Sequence, residues 1–278
     1  MNLLMAVNSA YVKHAKVTVY SLACHSQEHI RLYLLHSELE EKELKAFDLF
    51  LRKRCHGELI PVFLNGAWFE KLPIRGHFSK ETYYRIYAQY LLPEEVDRIL
   101  WLDADLVVKK SINDFYEKDF KDHCLIACEN IGDSKEESVK RLGLKRPVYF
   151  NAGVLLMNLD AMRRYADKQL LDNFINENVS LFLWQDQDIL NKFYEDSFLL
   201  ESTQYNYQVA SGEKRRENEL GEAAVIHYVG GLKPWQYAYI GQADKYYLEY
   251  LKKVAPGRYY MLKIASRLYD ILKREQGK

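Results

Sequence analysis

Short apolar stretches alternate along the chain with longer ones whose apolar positions recur every three or four residues. Residues 3–7 (LLMAV), 30–35 and 58–63 have the length and continuity of buried strands. Residues 98–102, 106–108, 125–128, 153–157 and 225–229 share that pattern. Between the first two, Ala15, Val19 and Leu22 fall on one face of a helix over 11–23. Ser37-Glu38-Leu39-Glu40 has the form of a capping box and predicts a helix running to about residue 54. Ser79 is the candidate N-cap of a helix through Tyr83, Ile86 and Tyr90 that Pro93 stops. Further helices are predicted near 160–178 and 186–195. Strands joined by helical crossovers predict an α/β fold, a mainly parallel sheet with helices on both faces.

Composition narrows the class. Lys plus Arg and Asp plus Glu each number 39, so no basic excess marks a nucleic-acid footprint. With 13 Gly and 6 Pro in 278 residues, and 48% hydrophobic residues, the chain is neither linker nor disordered. The 22 Tyr outnumber 12 Phe and 4 Trp. A hydroxyl-bearing ring suits sugar, base or interface contacts, although packing accounts for most such residues. Four cysteines without C-x-x-C spacing point to a reduced, cytoplasmic chain. Cys124 and Cys128 are expected on one face of one strand, as small apolar residues. The start MNLLMAVNSA lacks the basic region and apolar run of a signal peptide. No window has the length and apolarity of a membrane span. Residues 130–147 and 211–222 are polar and predict loops, either plain surface or lids over a site. The composition shifts after Pro256-Gly257, dividing a main domain over 1–255 from a basic amphipathic tail over 256–278.

The candidate chemistry begins with what is missing. There is no G-x-G-x-x-G, no G-x-x-x-x-G-K-[ST] and no G-x-S-x-G, so a phosphate held here needs another device. Asp103-Ala104-Asp105 follows the apolar run ILWL, at a strand's carboxyl end, where open α/β sheets bind ligands. Its two carboxylates point to one side, the small Ala104 leaves room for a diphosphate, and hard oxygens suit Mg2+ or Mn2+. The motif alone is weak, because a chain with 16 Asp carries about one Asp-x-Asp by chance, and Asp186-Gln187-Asp188 is a second. His227 ends another apolar run and could complete the site, shifting the preference towards Mn2+. Gly230-Gly231 let backbone approach a phosphate, and Lys233 offers it a point charge.

These residues resemble the retaining glycosyltransferases of family eight, which include bacterial lipopolysaccharide galactosyl- and glucosyltransferases and, more distantly, glycogenin. The resemblance rests on LLMAVNSAY, HFSKETYYRIY, ILWLDADLVV, FNAGVLLMNL, WQDQDILN and HYVGGLKPW, in family order, up to about residue 240. It implies a GT-A fold, Rossmann-like and nucleotide-sugar-binding, with a UDP-hexose donor and Mn2+ or Mg2+ held by Asp103, Asp105 and His227. Ala6, Asn8 and Tyr11 then resemble the uridine pocket, with Tyr11 on the base. Arg85, Asn151, Asp186 and Gln187 resemble donor-sugar contacts, with Ala104 in the donor-binding turn and Gly230 and Lys233 at the diphosphate. Many relatives carry Asp where this chain has Asn8, whose amide can still bond a uracil edge. Gln187 is the residue that the family places at the anomeric carbon. Asp188 is the nearest carboxylate in its block, open to a reading as nucleophile or as a structural helix-start Asp. Same-face attack by the acceptor is the favoured route to retention. A galactose or glucose donor and a glycan or glycolipid acceptor such as lipopolysaccharide follow by analogy. The competing readings are a sugar nucleotidyltransferase, whose Gly- and Arg-rich phosphate loop NSAYVKHAK does not match, and a non-catalytic nucleotide-sugar binder or assembly partner. In the tail, Tyr260, Ile264, Leu268 and Ile271 share a face among an excess of Lys and Arg, as in a helix lying on the inner face of the cell membrane.

Overall fold

The computed structural model describes residues 1–65, 81–132, 134–214 and 217–275. Its strands are β1 (Asn2–Ala6), β2 (Ile30–His36), β3 (Gly57–Phe63), β4 (Arg98–Leu102), β5 (Leu106–Val108), β6 (Leu125–Glu129), β7 (Phe150–Asn158), β8 (Phe198–Glu201), β9 (Tyr207–Val209) and β10 (Val225–Tyr228). Helices of seven residues or more are α1 (Val12–Ala23), α2 (Glu41–Arg54), α3 (Ser134–Leu142), α4 (Leu159–Tyr165), α5 (Lys168–Asn178), α6 (Gln185–Phe193), α7 (Asp244–Val254) and α8 (Pro256–Glu275).

Seven strands form the main sheet in the order β3-β2-β1-β4-β7-β6-β8. β1 pairs in parallel with both β2 and β4, and β7 runs antiparallel to both β4 and β6. Strands flanked by neighbours and covered on both faces read as continuous apolar runs, as β1 does through Leu3, Leu4 and Met5. Leu4, Trp101 and Leu155 face one layer, packed with Met162, Ile175 and Ile189 of α4, α5 and α6. Leu3, Leu100 and Leu156 face the other, packed with Ala15 and Val19 of α1 and Phe47 of α2.

A second sheet, β5-β10-β9, had no counterpart in the pattern. β5 belongs to it and not to the main sheet, because the Asp103–Asp105 turn redirects the chain before Leu106. β10 pairs antiparallel with β5 and parallel with β9, setting His227 opposite both Leu106 and Gln208.

Several boundaries differ from expectation for local reasons. The helix expected from Ser37 starts three residues later: Glu40 caps α2 reciprocally with Glu43, while Leu39 and Leu44 pack into one apolar cluster. The stretch 160–178 is two helices, because Asp167 accepts from Leu170 N–H and starts α5 afresh. Neither polar segment is a loop throughout. α3 lies in 130–147 and buries Leu142, and Glu217–Glu222 is helical with Leu220 buried. Cys124 precedes β6 and packs in the first layer, whereas Cys128, past a register shift, packs in the second. They therefore do not share a face. Ser79 lies outside the described residues.

Candidate active site

The strand order reverses between β1 and β4, so the connections leaving their carboxyl ends diverge and open a crevice. Ala6, Asn8 and Tyr11 leave β1 there, and Asp103, Ala104 and Asp105 leave β4. Antiparallel β7 starts at the same edge, where Gly153 O accepts from Asp103 N–H (2.9 Å), which brings Asn151 beside the turn. The small sheet delivers His227, and Tyr228 N–H donates to Asp105 O (2.9 Å). Thr18 of α1 pins the turn from behind, donating within reach of Ala104 O (3.2 Å) and Leu106 O (2.8 Å).

His227 Nε2 lies 3.2 Å from Asp105 Oδ1 and 3.8 Å from Asp103 Oδ2. One donor atom from each of the three falls within 4.8 Å of the others, close enough to share a cation. Asp105 Oδ1 is buried without a hydrogen-bond donor, an expensive arrangement for a carboxylate and one that an ion relieves. Charge balance agrees. The carboxylates of Asp103, Asp105 and Asp186 face two fixed cations, Arg85 and Lys233, so the third charge falls to His227 or to a bound ion. The residues present fit a divalent ion with oxygen and nitrogen ligands.

Arg85 is the hub. It is 5% exposed, with Nη2 on Asp103 Oδ1 (2.8 Å), Nε facing Asp186 Oδ2 (3.0 Å) and Nη1 donating to Ala152 O (2.5 Å). Its guanidinium also stacks over Trp101, whose Nε1–H donates to Asp103 Oδ1 (2.8 Å). Expected as a sugar contact, Arg85 spends its donors on holding two carboxylates and a carbonyl. Burial pushes the Asp186 carboxyl up to about 6 despite Arg85. Burial would also raise Asp105, yet Lys233 and His227 together outweigh it and hold that carboxyl well below the usual range. Lys233 Nζ sits on Asp105 Oδ2 (2.8 Å) and Tyr228 O (2.5 Å), so the charge expected at a diphosphate is anchored on a proposed metal ligand. Gly230 has φ +80°, which suits glycine, and stands exposed at the turn after β10.

Asn8 Oδ1 accepts from Tyr11 N–H (3.2 Å) and shapes the entry to α1. Tyr11 is 37% exposed, and partial burial, then the charge of Asp105, pushes its phenol up. Gln187 Oε1 accepts from Ala152 N–H (3.1 Å) and Asn151 Nδ2 (3.0 Å), joining α6 to β7. Asp188 belongs to another structure. It is fully buried and accepts from Arg141, Tyr149 OH (2.7 Å), Leu183 N–H (2.8 Å) and Trp184 N–H (2.7 Å). Five hydrogen bonds saturate both oxygens, which leaves none for a nucleophile; Asp188 anchors the start of α6.

Three positioning residues escaped the sequence reading. A Cβ on Gly153 would meet His227 Cε1 at 2.2 Å, so the imidazole occupies the space a side chain would take. Thr18 and Asn206 act across elements far apart in sequence; Thr18 shows as a polar residue between Val17 and Val19, whereas Asn206 lies in a polar stretch that gives no such signal.

The model of glycosyl transferase family 8 matches residues 2–238. The chain is similar to glycosyltransferase GlyE of Streptococcus pneumoniae, 26% identical over 257 residues, covering 87% of this chain and 58% of GlyE. It is also similar to lipopolysaccharide 1,3-galactosyltransferase of Salmonella typhimurium, 23% identical over 212 residues, covering 72% of this chain and 62% of that one. It thus spans less than two thirds of either relative. Among solved structures, galactosyltransferase LgtC in complex with donor and acceptor sugar analogues superposes with a TM-score of 0.79 at 23% identity, over 92% of this chain and 96% of that one. That likeness establishes the GT-A fold. The motif order, the crevice between β1 and β4 and the family match over most of the length lead to one conclusion: the chain belongs to glycosyl transferase family 8.

Proposed function

We propose that the protein is a metal-dependent, retaining hexosyltransferase that moves galactose or glucose from a UDP-sugar to a glycan or glycolipid acceptor. The observation that carries this reading is the convergence of Asp103, Asp105 and His227 at the sheet's switch point, joined to Gln187 through Asn206 and Asn151. A divalent ion, Mn2+ before Mg2+ given the imidazole, supplies charge to neutralise a leaving diphosphate. Asp103 and Asp105 hold it with His227, Lys233 supports the diphosphate from the Asp105 side, and Gly230 lets backbone come close. Ala6, Asn8 and Tyr11 receive the uridine. Gln187 and Asn151 face the sugar, while Arg85 keeps Asp103 and Asp186 oriented. Glycosyl transfer develops positive charge on the sugar ring and negative charge on the leaving group, so fixed groups at the diphosphate act electrostatically. Saturated Asp188 and Arg85-bound Asp186 favour same-face attack by the acceptor over a covalent intermediate.

Calorimetric titration in the presence of Mn2+ tests the donor assignment. UDP should bind clearly more tightly than GDP or ADP, and Tyr11→Ala should weaken it; equal affinity for the three nucleotides refutes the uridine pocket.

The tail supports work at the cytoplasmic face of a membrane. Among the described residues no helix is long and apolar enough to cross one. On α8, Tyr259 and Leu262 pack against the small-sheet cluster, while Tyr260, Met261, Ile264 and Leu268 remain more than half exposed. An apolar stripe beside Arg258, Lys263 and Arg267 suits the headgroup region of an anionic bilayer, where a lipid-linked acceptor would be carried.

A further inference from the structure

The side-chain amides of Gln187, Asn151 and Asn206 form a single file of hydrogen bonds that ends on His227, and two backbone N–H groups set its direction. Amide nitrogen and oxygen are normally assigned from their surroundings, but a backbone N–H can only donate. Gly153 N–H donates to Asn151 (3.0 Å), which fixes that atom as Oδ1. Ala152 N–H donates to Gln187 (3.1 Å), which fixes Oε1 there, and Asn151 Nδ2 donates to the same oxygen (3.0 Å). The Asn206 atom 2.9 Å from Asn151 Oδ1 must therefore be nitrogen. Its other amide atom, the oxygen, then faces His227 Nδ1 at 2.9 Å.

An oxygen only accepts, so Nδ1 carries a ring proton, and Nε2, the ring atom nearest Asp103 and Asp105, is the one whose lone pair a cation would take. The opposite tautomer would require Asn206 to flip and set its oxygen against Asn151 Oδ1, two acceptors at hydrogen-bond distance. We propose that Asn206 is a positioning residue that locks His227 in the Nδ1–H tautomer, so that Nε2 is delivered as a cation ligand. The residue that approaches the sugar, Gln187, sits at the far end of the same file, so its orientation and that of the ligand are set together. This rests on the reading of Asp103, Asp105 and His227 as the cation site, and ligating histidines are commonly oriented through their second nitrogen in this way.

Two measurements test it. Nitrogen NMR of the His227 ring in metal-free protein, at a pH where the ring is neutral, reads the tautomer without any ion. The Nδ1–H form is expected in the wild type, and a dominant Nε2–H form overturns the proposal even if variants fail to fold. Electron paramagnetic resonance then follows Mn2+ binding without donor. Asn206→Leu should weaken it about 10- to 100-fold, and Asn206→Asp, which restores an acceptor opposite Nδ1, should recover most of the loss. Unchanged Mn2+ affinity in folded Asn206→Leu overturns the proposal. If the wild type and Asp105→Ala bind Mn2+ equally poorly, the cation site itself is wrong, while the ring tautomer still decides the role of Asn206.

Discussion

Gly153 shows how tightly the site is drawn at the scale of single residues. Its hydrogen occupies the space beside His227 in which any Cβ would overlap the ring. Gly153→Ala should displace the imidazole by about 1 Å and lower turnover on the order of 100-fold, for a stability cost of about 1–3 kcal/mol. Steady-state rates alongside urea unfolding separate the two effects, and turnover within twofold of wild type would remove Gly153 from the site's design. Asp188 makes the opposite case. Truncation to Ala strands Arg141 and frees Leu183 and Trp184 N–H, so Asp188→Ala should cost about 3–5 kcal/mol in urea unfolding. A stable variant that loses only turnover would return Asp188 to the chemistry.

Whole elements are held by contacts that the periodicity does not record. α1 is amphipathic, yet its buried face also carries His14, Thr18 and Ser21. Thr18 grips the Asp103–Asp105 turn, and Ser21 Oγ accepts from Val108 N–H (2.8 Å), so the helix that presents Tyr11 is bolted to the strand that follows the turn. His14 stacks on Trp235 at 3.6 Å and pairs with Tyr247 OH at 2.7 Å, tying α1 to the segment after β10 and to α7. Burial holds the His14 ring down to about 3. Since the folded value lies below the unfolded one near 6.5, protonation favours unfolding. The neutral ring's contribution is complete above about pH 6.5 and is lost as pH falls towards 3. At pH 5 this amounts to about 2 kcal/mol. His14→Phe should flatten the stability profile between pH 7.5 and 5, as read by urea midpoints. Identical slopes for variant and wild type would place the titration elsewhere. The same cross-element logic explains what the pattern hid. β8 and β9 are short, Tyr207–Val209 is interrupted by Gln208, and only pairing with β6 and β10 makes them strands.

For the whole molecule, the proposed cation site was legible because two of its members follow apolar runs. Asp103 follows ILWL and His227 follows AVI, so chemistry at those positions stands out. What the sequence could not convey is that β5 and β10 form a separate sheet, or that Asn206 and Gly153 orient the imidazole. Those roles exist only once distant segments are packed. Nor could it show that Arg85 and Lys233 are committed to carboxylates. The exposed stripe on α8 belongs to this scale too. Full-length protein should co-sediment with anionic vesicles at low salt and lose that binding at high salt, while a truncation at Pro256 should stay in the supernatant. If both partition alike, α8 is purely a packing element.

The most direct measurement is release of UDP from UDP-galactose and UDP-glucose, with a glycan acceptor, by metal-stripped wild type and Asp105→Ala. The expected result is a wild type silent in chelator and restored by Mn2+, and an Asp105→Ala variant that keeps its circular dichroism yet stays silent in both conditions. Full turnover in chelator, or wild-type rates from Asp105→Ala, would contradict a cation held between Asp103, Asp105 and His227 as the source of catalysis.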